Sequence, residues 1–240
     1  MAPGVLMTRV KMMAIIPARG GSKGLPRKNL RPLCGLPLIA WTIKAAKECP
    51  LIDCVVVTSD DPEILDVANQ FGADQLIRRP EELATDEATT SDAVHHVFSQ
   101  IPLPDNFVLL QPTSPLRSSY ILTNCVNLFM STDAVSVVSV TKSSESPFWT
   151  YTMEGGVLNQ VVKTGGHFDQ RQKLPTTYFL NGAMYVWNTA YFMTHGDLVT
   201  SSSVGFEMSN EVSVDIDTFE DFKKATIFFE NLANRDDDGL

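Results

Sequence analysis

Short apolar runs alternate along the chain with longer stretches of helical spacing. Met12–Pro17 is apolar throughout, as expected of a strand buried on both faces. "PLIAWTIKAAKE" follows with apolar residues at helical intervals and Pro37 in its first turn. "CVVVTSDD" is a second β-branched run, and "PEILDVANQFGA" a helix with Pro62 near its start and Gly72 at its stop. "FVLLQPTSP" and Ala134–Val140 predict two more strands. "NEVSVDID" predicts a late strand and "TFEDFKKATIFFENL" a closing helix. Strands alternating with helices imply an α/β fold, a mostly parallel sheet flanked by helices. Ligands of such sheets bind beyond the carboxyl ends of the strands. Here those ends read "PARGGSKG", "TSDD", "LLQPTSPLR" and "VDID", all rich in polar groups.

Between about residues 142 and 178 the pattern breaks. Gly, Ser and the aromatics Phe148, Trp149 and Tyr151 replace helical spacing, which predicts an extended β-rich excursion from the main sheet. Residues 1–12 read as a loose extension and residues 13–240 as a single unit carrying that excursion. Its aromatics lack a core of their own, so the excursion is expected to pack against a second copy as a dimerisation subdomain.

Charge narrows the function. The formal net charge is −9, which argues against a nucleic-acid partner, because phosphate backbones demand a broad basic face. No apolar run approaches the roughly 20 residues that span a bilayer, so no membrane partner is expected. Cys34, Cys49, Cys54 and Cys125 form no CxxC pair and have no His at metal spacing. A reduced, cytoplasmic protein without structural zinc is expected.

Against this acidic background stands "AIIPARGGSKGLPRKN". Four cations (Arg19, Lys23, Arg27, Lys28) and three glycines occupy 16 positions directly after the first strand. Glycines let backbone amides approach an anion, and Lys or Arg adds charge. A Walker loop would need Ser or Thr where Gly24 follows Lys23, and a dinucleotide loop would need glycine where Arg19 stands. Separated cations on a long loop suggest a triphosphate. Asp215 and Asp217 fall on one side of the expected late strand, a pair suited to Mg²⁺. The same residues also read as a strand end passing into a helix cap. "RRPEELATDEATT" reads as a loop before a helix capped by Thr90 or Ser91, Gln111 as part of a proline-framed turn, and Asn181-Gly182 as a hairpin turn.

"IIPARGGSKGLPRKN", "RRPEELATDEATTSD", "LLQPTSPLR", "NGAMY" and "VDID" occur in that order. Together they resemble the acylneuraminate cytidylyltransferases, the CMP-sialic acid synthetases, over nearly the whole chain. The resemblance implies a Rossmann-like nucleotide-diphospho-sugar-transferase fold, a homodimer, and Mg²⁺ as cofactor. It implies transfer of CMP from CTP to a sialic-acid-like α-keto-acid sugar with release of pyrophosphate. Arg19, Ser22, Lys23, Lys28 and Asn29 would grip the triphosphate, with Arg19, Lys28 and Asp217 catalytic. Arg79, Ala88 and Thr90 would read cytosine. Gln111, Arg171, Asn181 and Tyr185 would contact the sugar, and Asp215 and Asp217 the metal. Phe148, Trp149, Phe179 and Leu180 stand where relatives carry basic residues, which leaves N-acetylneuraminate, legionaminate and pseudaminate open as acceptors. A Kdo-activating enzyme of the same fold and a non-catalytic nucleotide-binding module are the rival readings.

Overall fold

The computed structural model describes residues 10–22, 24–162 and 174–237, with the side chains of 232–237 excepted. Lys23 and Arg171 therefore lie outside the described residues, as does most of the expected N-terminal extension.

Strand β1 (Met12–Pro17) occupies the centre of the sheet. Its period of two splits the core. Met12, Ala14 and Ile16 join the cluster containing Ile39, Ile64 and Leu122, whereas Met13 and Ile15 join Val94, Val97 and Phe192 on the opposite face. The hairpin β2 (Pro32–Leu33) and β3 (Leu36–Pro37) leads into α1 (Leu38–Lys47). Then come β4 (Cys54–Ser59), α2 (Pro62–Gln70), β5 (Gln75–Arg78), α3 (Thr90–Gln100), β6 (Asn106–Leu110) and α4 (Ser119–Met130). Helices α1, α2 and α4 cover the first face, and α3 covers the second.

Strand β7 (Ser136–Lys142) precedes a small hairpin of β8 (Tyr151–Glu154) and β9 (Val157–Gln160). The chain returns through β10 (Tyr178–Asn188), α5 (Thr189–His195) and β11 (Val204–Glu207), and closes with α6 (Phe219–Asp237). The sheet order is β11-β7-β10-β6-β1-β4-β5, and β10 alone runs against its two neighbours. The expected mostly parallel sheet is present, and so is the β-rich excursion at β8–β9.

Two expectations need correction. Asn181-Gly182 is no hairpin turn but lies inside β10. Gly182 takes φ 75°, and the register with β7 shifts between Leu180 and Tyr185. Glycine tolerates this left-handed conformation, so the strand absorbs a bulge without ending. "NEVSVDID" is no sheet strand either. It makes a 3₁₀ turn at Asn210–Val212 and then runs extended, with the Ile216 N–H donating to the Thr113 carbonyl at 2.8 Å. β11 takes the sheet position instead, parallel to β7.

Candidate nucleotide site

The loop after β1 is strapped down at several points. The Asn29 side-chain amide donates to the Arg19 carbonyl at 3.0 Å, and the Gly20 N–H donates to Asp60 at 3.1 Å. Leu25 is buried against Ile216, Leu33, Leu38 and Ala225 in a third small core. Gly24 passes so close to the Asp217 carbonyl that an added Cβ would lie 2.4 Å from that oxygen. Arg27, at φ 54°, pairs with Glu63 at the start of α2, which directs its charge away from the loop's inner side.

Lys28 is 9% exposed. Its ammonium donates to the Ile216 carbonyl at 2.6 Å and meets the Asp217 carboxylate at 2.8 Å. The first basic loop and the late acidic segment are thus one unit. An unsupported loop lysine would be the simpler reading of the sequence; burial and the Ile216 bond replace it.

These groups wall a cavity of about 510 Å³ at the carboxyl ends of β1 and β6. Arg19, Ser22, Lys28 and Asn29 form one side, and Arg79, Ala88 and Thr90 another. Gln111 and Asp217 complete it. Nine of the expected residues therefore share a single space, although it is built from segments far apart in sequence.

The second side owes its shape to α3. Thr89, rather than Thr90 or Ser91, is the N-cap: its hydroxyl accepts from the Asp92 N–H at 3.1 Å, and Asp92 accepts from the Thr89 N–H at 2.8 Å. This reciprocal box presents the helix N-terminus to the cavity, where the helix dipole favours anions. The Thr89 hydroxyl and backbone N–H hold the Asp92 carboxyl below the usual carboxylate range. Arg79 is 7% exposed, with a nitrogen 3.7 Å from Asp60. Burial, the main influence, weakens its hold on its proton, and Asp60 partly offsets that.

Three expected residues do not line this cavity. Asn181 is 3% exposed; its oxygen accepts from Ser139 at 2.6 Å and its nitrogen donates to Ser213 at 2.9 Å. It braces β7, β10 and the segment after the 3₁₀ turn. Tyr185 is buried in β10 between β6 and β7, where burial and then the Asp215 charge push its phenol up. Asp215 lies just beyond the cavity wall. A Cβ on Gly182 would stand 3.1 Å from the Gln111 side-chain oxygen and 3.8 Å from Asp215, so Gln111, Gly182 and Asp215 converge.

The Asp215 side chain keeps solvent access, yet surrounding protein raises its carboxyl pKa, with Asp217 adding repulsion. A carboxylate crowded in this way gains from a nearby cation, and hard oxygen donors suit Mg²⁺. Among the described residues no three acidic, His or Cys side chains are placed to hold a metal ion by themselves. Two carboxylates still fit an ion that completes its shell with phosphate oxygens and water.

Sequence reasoning missed the acids that hold the cations. Asp60 and Asp86 sit in loops, without periodicity to mark them. It also missed Arg117, 1% exposed, whose Nη1 donates to the Ala183 carbonyl at 2.8 Å and lies 3.4 Å from the Gln111 carbonyl. All four cysteines are free, and no described helix is long and apolar enough to cross a membrane.

A family model described as Cytidylyltransferase matches residues 13–153. An N-acylneuraminate cytidylyltransferase of Streptococcus agalactiae serotype V is 36% identical over 217 residues, covering 89% of this chain and 52% of its own. A CMP-N,N'-diacetyllegionaminic acid synthase of Legionella pneumophila is 36% identical, covering 87% of this chain and 92% of its own. The chain thus spans about half the length of the first of these relatives and nearly all of the second. Among solved structures, a CMP:2-keto-3-deoxy-manno-octonic acid synthetase complexed with CTP superposes with a TM-score of 0.70 at 16% identity, covering 92% of this chain and 99% of its own.

Proposed function

The chain belongs to the cytidylyltransferase family, and from that premise we propose that it transfers CMP from CTP to the anomeric hydroxyl of a sialic-acid-like nonulosonic acid. The observation that carries this reading is the meeting of Lys28 and Asp217 on a cavity also walled by Arg19, Arg79 and the α3 N-terminus. Positive groups held in place before the reaction stabilise charge that develops on phosphate, without reorganising at the moment of transfer.

In this reading the sugar oxygen attacks the α-phosphorus, a new P–O bond forms, and the bond to pyrophosphate breaks as the hydroxyl proton leaves. Lys28 and Arg19 bear on the phosphates, and Ser22 and Asn29 shape the loop around them. Lys23 extends the same loop. Arg79, Ala88 and Thr90 face the base. Gln111 and Asp215 mark the acceptor side, where Gly182 leaves room. Asp215 and Asp217 would hold Mg²⁺, which when bound supplies further positive charge at the phosphates.

We also propose a homodimer formed through the excursion. Met153, Val157 and Leu158 on the β8–β9 hairpin are 71%, 64% and 62% exposed, and Tyr178, Phe179 and Leu180 at the start of β10 are exposed as well. Exposed apolar clusters of this kind mark interaction surfaces. Particle size in solution checks this: a monomer at micromolar concentration contradicts it.

Incubation with CTP, Mg²⁺ and a panel of nonulosonic acids, including N-acetylneuraminate, legionaminate, pseudaminate and Kdo, tests the activity through pyrophosphate release. Release with Kdo alone would assign the chain to a different acceptor. CTP binding without release under any acceptor would leave a binding module.

A further inference from the structure

The main cavity and a smaller one of about 260 Å³ meet at the Arg19–Asp86 ion pair. Both are walled by Arg19, Ser22, Thr85 and Asp86. Arg19 Nη1 lies 2.7 Å from Asp86 Oδ1, and the same nitrogen donates to the Thr85 carbonyl at 3.3 Å. The backbone around Arg19 is fixed, with its carbonyl held by Asn29 and the next N–H held by Asp60. The side chain is not fixed by burial: Arg19 is 37% and Asp86 45% exposed at this pair. A tethered backbone carrying an accessible guanidinium gives Arg19 a choice of partners without moving the loop.

We propose that Asp86 is a positioning residue that holds Arg19 before nucleotide binds and thereby sets the strength of nucleoside-triphosphate binding. The inference rests on the reading of the cavity as a triphosphate site. Phosphate oxygens compete with the Asp86 carboxylate for the same guanidinium. When they win, Arg19 turns onto the phosphates, its pair with Asp86 breaks, and the partition between the two cavities opens. Holding the guanidinium across the cavity mouth keeps it extended and near its later partner. The cost is a weaker net gain on binding, because one ion pair is exchanged for another. An accessible pair of this kind shifts an equilibrium by about two- to fivefold.

The test is CTP binding measured by calorimetry without acceptor, in wild type, Asp86→Asn, Arg19→Gln and the double variant. Asp86→Ser serves as a second probe, and Asp86→Glu keeps the charge. The expected result is binding about two- to fivefold tighter in Asp86→Asn and Asp86→Ser, with Asp86→Glu near wild type. In the Arg19→Gln background the same Asp86 changes are expected to tighten binding less. Equal or weaker binding by both neutral variants overturns the proposal. So does equal tightening in the Arg19→Gln background, which would make Asp86 a mere repulsive charge. Inorganic tripolyphosphate separates the two levels. A wild type that binds tripolyphosphate but not CTP overturns the cytidine reading, while the same cycle still tests the Asp86 role. Binding of neither overturns both.

Discussion

The Lys28 ammonium rests 2.8 Å from the Asp217 carboxylate, so the cation proposed for phosphate and the acid proposed for metal hold each other. Because Lys28 also donates to the Ile216 carbonyl, it has a structural task besides its proposed catalytic one. Lys28→Ala is therefore expected to lower turnover at least tenfold and to reduce thermal stability as well. A hydrogen bond to a charged group contributes about 1.5–3 kcal/mol. Steady-state kinetics and a melting curve on the same sample check both. Normal turnover in a folded variant would remove Lys28 from the chemistry.

Asp217 behaves differently, because its side chain is 72% exposed and its own side of the pair with Lys28 is open to water. Asp217→Asn should cost less than about 1 kcal/mol of stability, the usual limit for an open ion pair. Turnover should nevertheless fall strongly and recover in part at raised Mg²⁺. An Asp217→Asn variant that keeps full activity in a chelator would return Asp217 to the plain task of steadying Lys28.

Arg117 offers a test of stability against function. Burial pushes its guanidinium down to about 9, and its Nε and Nη2 have no hydrogen-bond partner among the described residues. Replacing a poorly compensated buried charge with an apolar side chain is often neutral or stabilising. Arg117→Met is thus expected to melt within a few degrees of wild type. It should still lose about tenfold in kcat/KM, because the backbone at Gln111 and Ala183 loses its common anchor; that factor corresponds to about 1.4 kcal/mol of barrier. A variant that melts far lower yet retains kcat/KM would show that the arginine serves packing alone.

The Thr89–Asp92 box gives a pH-dependent outcome. Removing an N-cap hydroxyl costs about 0.5–2 kcal/mol, so Thr89→Ala should be measurably less stable at pH 7. Asp92 has its folded pKa depressed, which places its contribution above the unfolded value of about 3.9 and removes it as pH falls through the folded one. The gap between Thr89→Ala and wild type should therefore narrow in acid below about pH 4, where the carboxylate half of the box is lost in both. Denaturant melts at pH 7 and pH 3 measure it, and a constant gap would exclude Asp92 from the cap.

The parallel core was legible because β1, β4 and β6 are buried on both faces and so read as uninterrupted apolar runs. β10 was hidden by Asn181-Gly182, whose turn chemistry is real but is spent on a bulge inside a strand. The segment around Asp215 and Asp217 misled in the opposite sense. Its alternation belongs to any extended chain, and a ladder needs a partner that alternation does not reveal. In the site, clustered cations after a strand were visible as a pattern. Asp60, Asp86 and Arg117 were not, since their importance comes from partners brought close only by the fold.

The clamp between the opening loop and Ile216 also bears on when the site can exist. Lys28 and Ile216 are 188 residues apart in sequence. Closing a loop of that length costs about 4–5 kcal/mol in chain entropy beyond a length-independent constant, which only contacts made across most of the sheet can offset. A chain emerging from the ribosome presents the basic loop well before its acidic partner. Until Asp217 has been made, Lys28 lacks this counterion, and the two halves of the clamp meet only once the segment that carries Ile216 and Asp217 is in place.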